Sequence, residues 1–197
     1  MRLTRALDRP DDDAHLADLH AHLAQRAEQD QLLDVSYRTV ASPVGELLLA
    51  TTQVGLVRVA FAREDFDQVL SLLADRVGPR ILAHVAPLDA AARELEEYFT
   101  GQRRRFDLPL DLRLTHGFRR RVVEQLPTID YGSTASYAEM ARRAGSERAV
   151  RAVGSACATN PLPVVLPCHR VLRTDGSLGG YLGGPEAKRT LLALEAA

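Results

Sequence analysis

The amino-acid sequence predicts an α/β (α+β) protein, with a small N-terminal α/β domain before a mostly helical C-terminal domain. Two apolar runs flank a turn at Gln53–Gly55, as in a strand pair, and apolar residues then follow helical spacing over 64–78 and 88–101. Beyond Thr115 the apolar spacing is helical and is interrupted by glycine turns. These patterns divide the 197 residues into an N-terminal helical extension (1–34), an α/β domain (35–112) and a C-terminal domain (113–197).

The extension is predicted to contain one polar helix over residues 11–33. Its apolar residues form a thin stripe at Leu16, Leu19 and Leu23. Such a helix either packs against the rest of the protein or forms an arm, and the pattern alone assigns it no function.

The helices of the C-terminal domain are predicted from their N-terminal residues. Thr115 is expected to cap the first helix, Ser136 and Glu139 have capping-box spacing at the second, and Ser146 is expected to cap the third. Gly145 joins the last two helices, which indicates a helix-turn-helix. The buried face of the third helix is predicted to contain Val150, Val153 and Cys157.

The opposite face of this third helix is small and basic. Arg148, Ala152, Ser155 and Thr159 lie on it, with Arg151 at its flank. Residues 113–197 carry 12 Lys and Arg against 7 Asp and Glu, whereas residues 1–112 carry 13 against 19. A nucleic-acid groove would suit this face, because guanidinium groups can meet phosphates there.

The stretch "VVLPCHRVL" (164–172) places a thiol beside an imidazole. We expect residues 164–166 to form a short buried strand, and Cys168 to be ionised with help from His169 or Arg170. Neighbouring residues in a strand point to opposite faces, so we predict that a water joins the thiol to the imidazole. A helix starting at Pro185 is predicted to turn Glu195 inward, where its carboxylate can orient His169.

Two interpretations of this region are from different functional classes. A papain-type hydrolase would need an oxyanion hole, and its nucleophile and base lie on separate segments, unlike the adjacent Cys168 and His169. A non-catalytic helix-turn-helix lesion-sensing or regulatory protein would need no thiol.

Composition argues against several other classes. The two cysteines are too few for a disulfide framework, and the histidines near the start have no thiol partners at ligand spacing, so neither a metal nor another cofactor is predicted. No apolar run approaches the ~20 residues that cross a bilayer, and no signal-peptide pattern is present. We therefore expect a cytoplasmic protein without membrane partners.

Four motifs carry a resemblance to a known family. "SYAEMA" (136–141), "RAVGSA" (151–156), "NPLPVVLPCHRV" (160–171) and "GGYLGGPEAKRTLLALE" (179–195) resemble the O6-alkylguanine-DNA alkyltransferases, also called methylated-DNA–protein-cysteine methyltransferases. The resemblance implies a ribonuclease-H-like N-terminal domain and a winged-helix/helix-turn-helix-like C-terminal domain. It also implies direct-reversal repair of O6-alkylguanine, and of O4-alkylthymine as a further substrate, with one irreversible transfer per molecule.

The resemblance further implies catalytic roles for five residues. Cys168 accepts the alkyl group, and His169 takes the thiol proton through a water while Glu195 holds the imidazole. Asn160 braces the active-site turn, and Tyr137 donates a proton toward N3 of the leaving guanine.

The implied partner is alkylated double-stranded DNA, bound in the minor groove by a monomer, with cooperative binding left open. Arg151 would fill the gap left by the flipped nucleotide, and the implied DNA contacts are Ser136, Arg148, Ala149, Arg151, Ala152 and Gly154. The implied substrate pocket contains Val171, Tyr181 and Leu182. Leu182 stands where many relatives have a hydroxyl or larger polar residue, so that side chain offers no hydrogen bond to O6.

Overall fold

The computed structural model describes residues 10–196, so residues 1–9 of the predicted extension lie outside the described part. Seven helices occur in this range: α1 Pro10–Gln29, α2 Phe66–Arg76, α3 Asp89–Phe99, α4 Gly117–Gln125, α5 Tyr137–Arg143, α6 Val150–Ala158 and α7 Gly184–Glu195. Six strands accompany them: β1 Val35–Val40, β2 Leu47–Thr51, β3 Leu56–Phe61, β4 Ile81–Ala83, β5 Ala135–Ser136 and β6 Val171–Leu172. No helix within residues 10–196 has the length and apolar character of a membrane span.

The N-terminal half is built on a four-stranded sheet of order β3-β2-β1-β4. The predicted strand pair corresponds to β2 and β3, which run antiparallel, and the flanking strands β1 and β4 pair in parallel. Both faces of β2 are buried, because α2 covers one face, while α3 and the C-terminal half cover the other. The sheet therefore joins both halves of the chain in one core.

One edge of the sheet reaches the motif region directly. The backbone amide of Val59 in β3 donates to the carbonyl of Pro161 (2.9 Å). The half-buried Arg58 side chain donates to the Asn160 and Pro161 carbonyls (3.4 Å each) and pairs with Glu64. The N-terminal half thus holds the segment that precedes Cys168.

The helix-turn-helix is formed by α5 and α6, which pack on α4. The Ser136 side chain caps α5 by accepting from the Glu139 amide (3.1 Å), but the Glu139 carboxylate turns to Arg143 and so completes only half of a capping box. The other two predicted caps are wrong. His116 precedes α4, and the Thr115 hydroxyl donates to the carbonyl of Leu112.

The helix α6 begins at Val150, four residues after the predicted cap Ser146. A turn closed by the Ala149 amide and the Ser146 carbonyl occupies the intervening residues. Val153 and Cys157 are buried as predicted, but Val150 is 38% exposed, because it lies in the first turn where no other element covers it.

The segment before Cys168 is buried, but the predicted strand over 164–166 is wrong. A turn closed by the Leu166 amide and the Leu162 carbonyl occupies these residues. Val164 has φ of 72°, in the left-handed region that β-branched residues avoid. The prolines at 161, 163 and 167 leave few amides for strand pairing, which explains the irregular backbone.

The extension helix packs through residues outside its leucine stripe. Ala24 is buried, and His20 Nε2 donates to the Ala83 carbonyl of β4 (2.7 Å). Leu16, by contrast, is 62% exposed, and Leu19 and Leu23 are similarly exposed. The stripe therefore does not attach α1 to the sheet.

Candidate active site

Cys168 begins a 3₁₀ turn, Cys168–Arg170, directly after Pro167. Only 1% of its surface is exposed. The Asn160 side-chain amide donates to the Leu166 carbonyl (2.8 Å) and to the Cys168 sulfur (3.2 Å), and its Oδ1 accepts from the Leu162 amide (3.0 Å). Asn160 thus links both ends of the turn to the thiol.

The environment of Cys168 favours a neutral thiol. Burial raises its pKa to about 11, although the Asn160 hydrogen bond and the positive charge of Lys188 lower it. The expectation of an ionised sulfur is therefore wrong for the protein without DNA. Arg170, one of the two predicted activators, points to other groups.

His169 and Glu195 are brought together as predicted. His169 Nε2 lies 2.9 Å from Glu195 Oε1, and both side chains are buried. Burial lowers the pKa of His169, while the hydrogen bond to Glu195 raises it, so the imidazole is neutral near pH 7. With Nε2 donating to the carboxylate, Nδ1 is the basic nitrogen.

The basic nitrogen of His169 is available to accept a proton. Nδ1 of His169 is buried and has no hydrogen-bond partner among residues 10–196. The 3₁₀ turn, rather than a strand, carries Cys168 and His169, and no direct hydrogen bond joins their side chains. A bridging water between the sulfur and Nδ1 remains the prediction for proton transfer.

Glu195 is the centre of a buried network that sequence analysis described only in part. Its carboxylate accepts from Arg170 Nε (2.8 Å) and Nη2 (2.9 Å) and from the Tyr98 hydroxyl (2.6 Å). Its pKa is lowered to about 2: burial raises it, and the hydrogen bonds from His169, Arg170 and Tyr98 outweigh burial. The carboxylate is therefore charged near neutral pH and held in position by these hydrogen bonds.

Lys188 is a second residue that sequence analysis did not single out. It is fully buried on α7, and its ammonium donates to the Val171 carbonyl (2.6 Å). Burial lowers the pKa of Lys188. Its position one turn before Leu191 on the inward face of α7 was the available signal, because a lysine there must find a buried partner.

The two predicted tyrosines lie near the thiol. The parallel pair of β5 and β6 brings Tyr137, the first residue of α5, beside the segment after Cys168, and burial raises the pKa of Tyr137 to about 12. The Tyr181 ring stands edge-on to the His169 ring, with centroids 6.3 Å apart. A Cβ atom at Gly179 would overlap the Tyr137 hydroxyl, so this glycine permits the close approach.

The remaining predicted residues divide between the surface and the interior. Arg148 and Arg151 are exposed, and Ala149, Ala152, Gly154 and Ser136 are half-buried. Val171 is fully buried, with its carbonyl already bound to Lys188, and Leu182 is half-buried. The helix α6 and the turn before it thus expose Arg148 and Arg151 beside small residues, as predicted.

Comparison with known families agrees with this arrangement. Residues 35–112 match the ribonuclease-like domain of 6-O-methylguanine DNA methyltransferase, and residues 117–197 match its DNA binding domain. The chain belongs to the 6-O-methylguanine DNA methyltransferase family. The predicted family and the predicted fold class are therefore confirmed.

Members of the 6-O-methylguanine DNA methyltransferase family resemble this chain over most of its length. The methylated-DNA–protein-cysteine methyltransferase of Mycolicibacterium paratuberculosis is 42% identical over 161 residues, which are 82% of this chain and 92% of that protein. The constitutive enzyme of that name from Bacillus subtilis is 37% identical, over 81% of this chain and 94% of that protein. The crystal structure of Mycobacterium tuberculosis OGT in complex with DNA is similar with a TM-score of 0.72 and 38% identity, covering 82% of this chain and 92% of that chain.

Proposed function

We propose that this chain is a methylated-DNA–protein-cysteine S-methyltransferase that repairs O6-alkylguanine in DNA by direct reversal. The observation that carries the proposal is the buried thiol of Cys168 next to the hydrogen-bonded pair of His169 and Glu195. Relatives of this chain are named methylated-DNA–protein-cysteine methyltransferases, which agrees with this arrangement. The division into residues 1–34, 35–112 and 113–197 belongs to the proposal, and the family matches to 35–112 and 117–197 support it.

The chemical step is an SN2 displacement at the alkyl carbon. The thiol proton passes through a water to His169 Nδ1, the sulfur forms a bond to carbon, and the bond from carbon to O6 breaks. Glu195 stabilises the imidazolium that forms, since its carboxylate keeps its negative charge. Because the resting thiol is neutral, ionisation accompanies substrate binding.

Tyr137 assists the leaving group of this reaction, and Asn160 assists the nucleophile. The guanine that leaves carries negative charge, and the Tyr137 hydroxyl, which keeps its proton at neutral pH, donates toward N3. Solvent later returns that proton, and the imidazolium loses its own. The Asn160 amide stabilises negative charge on the sulfur.

DNA binding is assigned to the small and basic face of α6. Flipping a nucleotide out of the duplex costs a few kcal/mol, and Arg151 inserted from the minor groove would offset this cost. Tyr181, Val171 and Leu182 would line the pocket for the flipped base. We propose a monomer in the cytoplasm that binds duplex DNA, and the structure of Mycobacterium tuberculosis OGT in complex with DNA supports DNA as the partner.

The product is a thioether that no residue in the site can hydrolyse. The protein should therefore act once per molecule. A papain-type hydrolase would instead continue to release product, and a non-catalytic lesion-sensing protein would leave the alkyl group on the DNA; the names of the relatives favour neither.

The test is transfer from a duplex that contains O6-methylguanine, followed by intact-mass and peptide analysis. We expect a gain of one methylene mass on the peptide containing Cys168 and no further turnover. Cys168→Ala should abolish transfer and leave affinity for the duplex nearly unchanged. The matched control is Cys157→Ala, because Cys157 is also buried; methyl transfer lost in this variant alone would contradict the assignment.

A further inference from the structure

An open groove of about 610 Å³ lies where α2, the start of α4 and the end of α6 meet. We call it the basic groove; the lining residues that matter here are Leu72, Arg76, Arg113, Arg119, Thr159 and Leu182. Arg76 and Leu72 come from the N-terminal half, and the other residues come from the C-terminal half. None of the catalytic side chains lines it.

The charges of the basic groove are only partly neutralised inside the protein. Arg113 pairs with Asp111 (2.7 Å), and Arg58, which also lines the groove, pairs with Glu64. Arg76 and Arg119 are exposed, and neither forms an ion pair with a carboxylate within the part of the chain that the structure describes. Two guanidinium groups are thus available to an anionic partner.

The basic groove continues the face proposed to bind DNA. Thr159 directly follows the last residue of α6, whose first turn carries Arg151, and Leu182 follows the pocket residue Tyr181. A helix of nine residues is about 14 Å long, which corresponds to about four base pairs along a duplex. A duplex centred on Arg151 would therefore bring phosphates a few nucleotides away to the groove.

We propose that the basic groove binds phosphates of the DNA backbone beside the lesion, and that Arg76 extends the DNA contact to the N-terminal half. Planar guanidinium groups match phosphate oxygens in two-point hydrogen bonds, and Leu72, which is 48% exposed, offers an apolar surface to the deoxyribose. This inference rests on the proposed function, because it requires that DNA bind across α6.

The experiment measures affinity for an undamaged duplex by fluorescence anisotropy at several salt concentrations. The variants are Arg76→Gln, Arg119→Gln and the double variant. Each lost phosphate contact should weaken binding several-fold at low salt and reduce the slope of log K against log salt by about 0.9. In the double variant, the reduction of this slope should be about twice as large.

The matched control is Arg105→Gln, which removes one exposed arginine outside the basic groove and α6. This control should bind like the unmodified protein, and thermal unfolding should verify that all variants are folded. Unchanged affinity and slope in both groove variants, or an equal loss in the control, would overturn the inference.

Methyl transfer at saturating lesion DNA separates this inference from the proposed function. We expect the groove variants to transfer one methyl group each when the DNA is saturating, because the catalytic residues are intact. Failure of the unmodified protein to accept a methyl group would reject the proposed function. Even then, weaker DNA binding by the groove variants would show that the basic groove contacts DNA.

Discussion

Glu195 joins residues that are far apart in the sequence. The Tyr98 hydroxyl belongs to α3 in the N-terminal half and lies 97 residues before the carboxylate that it contacts. The same oxygen of Glu195 accepts from His169, the proposed base. A side chain of the N-terminal half therefore takes part in positioning the imidazole.

The substitution Tyr98→Phe tests this long-range contact. It removes one donor to a buried charge and keeps the ring, so we expect a loss of about 1.5–3 kcal/mol in the free energy of unfolding, measured with urea. Tyr131→Phe is the control, because the Tyr131 hydroxyl donates to a neutral carbonyl of Leu194 at 3.3 Å. Equal losses in the two variants would argue against a special role for Tyr98.

Arg170 shows a limit of local sequence analysis at this scale. Its position next to His169 suggested an activator of the thiol, but its guanidinium binds Glu195 and the Ile129 carbonyl. The direction of a side chain in an irregular turn depends on the surrounding packing. Sequence spacing placed Glu195, which contacts His169, on the inward face of its helix, but it could not predict the partners of Arg170.

At the scale of elements, the glycine loop before α7 positions Tyr137. Gly179 and Gly180 are adjacent, yet only at Gly179 would a Cβ atom meet the tyrosine hydroxyl. Neither residue has a φ in the left-handed region, so the requirement at Gly179 is steric.

Gly179→Ala should therefore displace the Tyr137 hydroxyl and slow methyl transfer from duplex DNA. Gly180→Ala should leave the transfer rate unchanged, because its Cβ atom would meet open space. Single-turnover kinetics at saturating DNA measure both variants. Comparable rates for the two would show that the position of Tyr137 does not limit the reaction.

The elements themselves were predictable to different degrees. The apolar spacing predicted α2, α3 and α7 to within about two residues, and it predicted the β2–β3 pair. The start of α6 and the strand at 164–166 were wrong, because a serine before a helix need not cap it and the prolines divert a buried apolar run from strand geometry. Local signals of this kind compete with tertiary packing.

For the whole molecule, the buried network around Glu195 makes stability depend on pH. The pKa of Glu195 is about 2 in the folded protein against 4.5 for an ordinary glutamate, and the pKa of His169 is lowered from 6.5. Both groups bind protons more readily when the chain is unfolded. Their stabilisation is therefore present above about pH 6.5 and is lost as the pH falls toward 2.

We expect the free energy of unfolding to fall between pH 7 and pH 3, with Glu195 contributing on the order of 2 kcal/mol over this interval. Urea unfolding at each pH measures the free energy of unfolding, and its change with pH gives the slope. Glu195→Gln should flatten the slope below about pH 4.5, whereas Glu186→Gln, an exposed residue on the same helix, should keep it. An unchanged slope in Glu195→Gln would contradict this account.

The sequence by itself determined the β2–β3 pair, the helices α2, α3 and α7, the helix-turn-helix, the adjacency of Cys168 and His169, and the inward face that carries Glu195. These features depend on spacing along the chain, which follows from the repeat of a helix or a strand. Only the tertiary structure decided that the thiol is neutral, that Tyr98 and Arg170 hold Glu195, and that Arg76 and Arg119 share one groove. Burial and contacts between distant residues arise when elements pack together, and no local pattern records that packing.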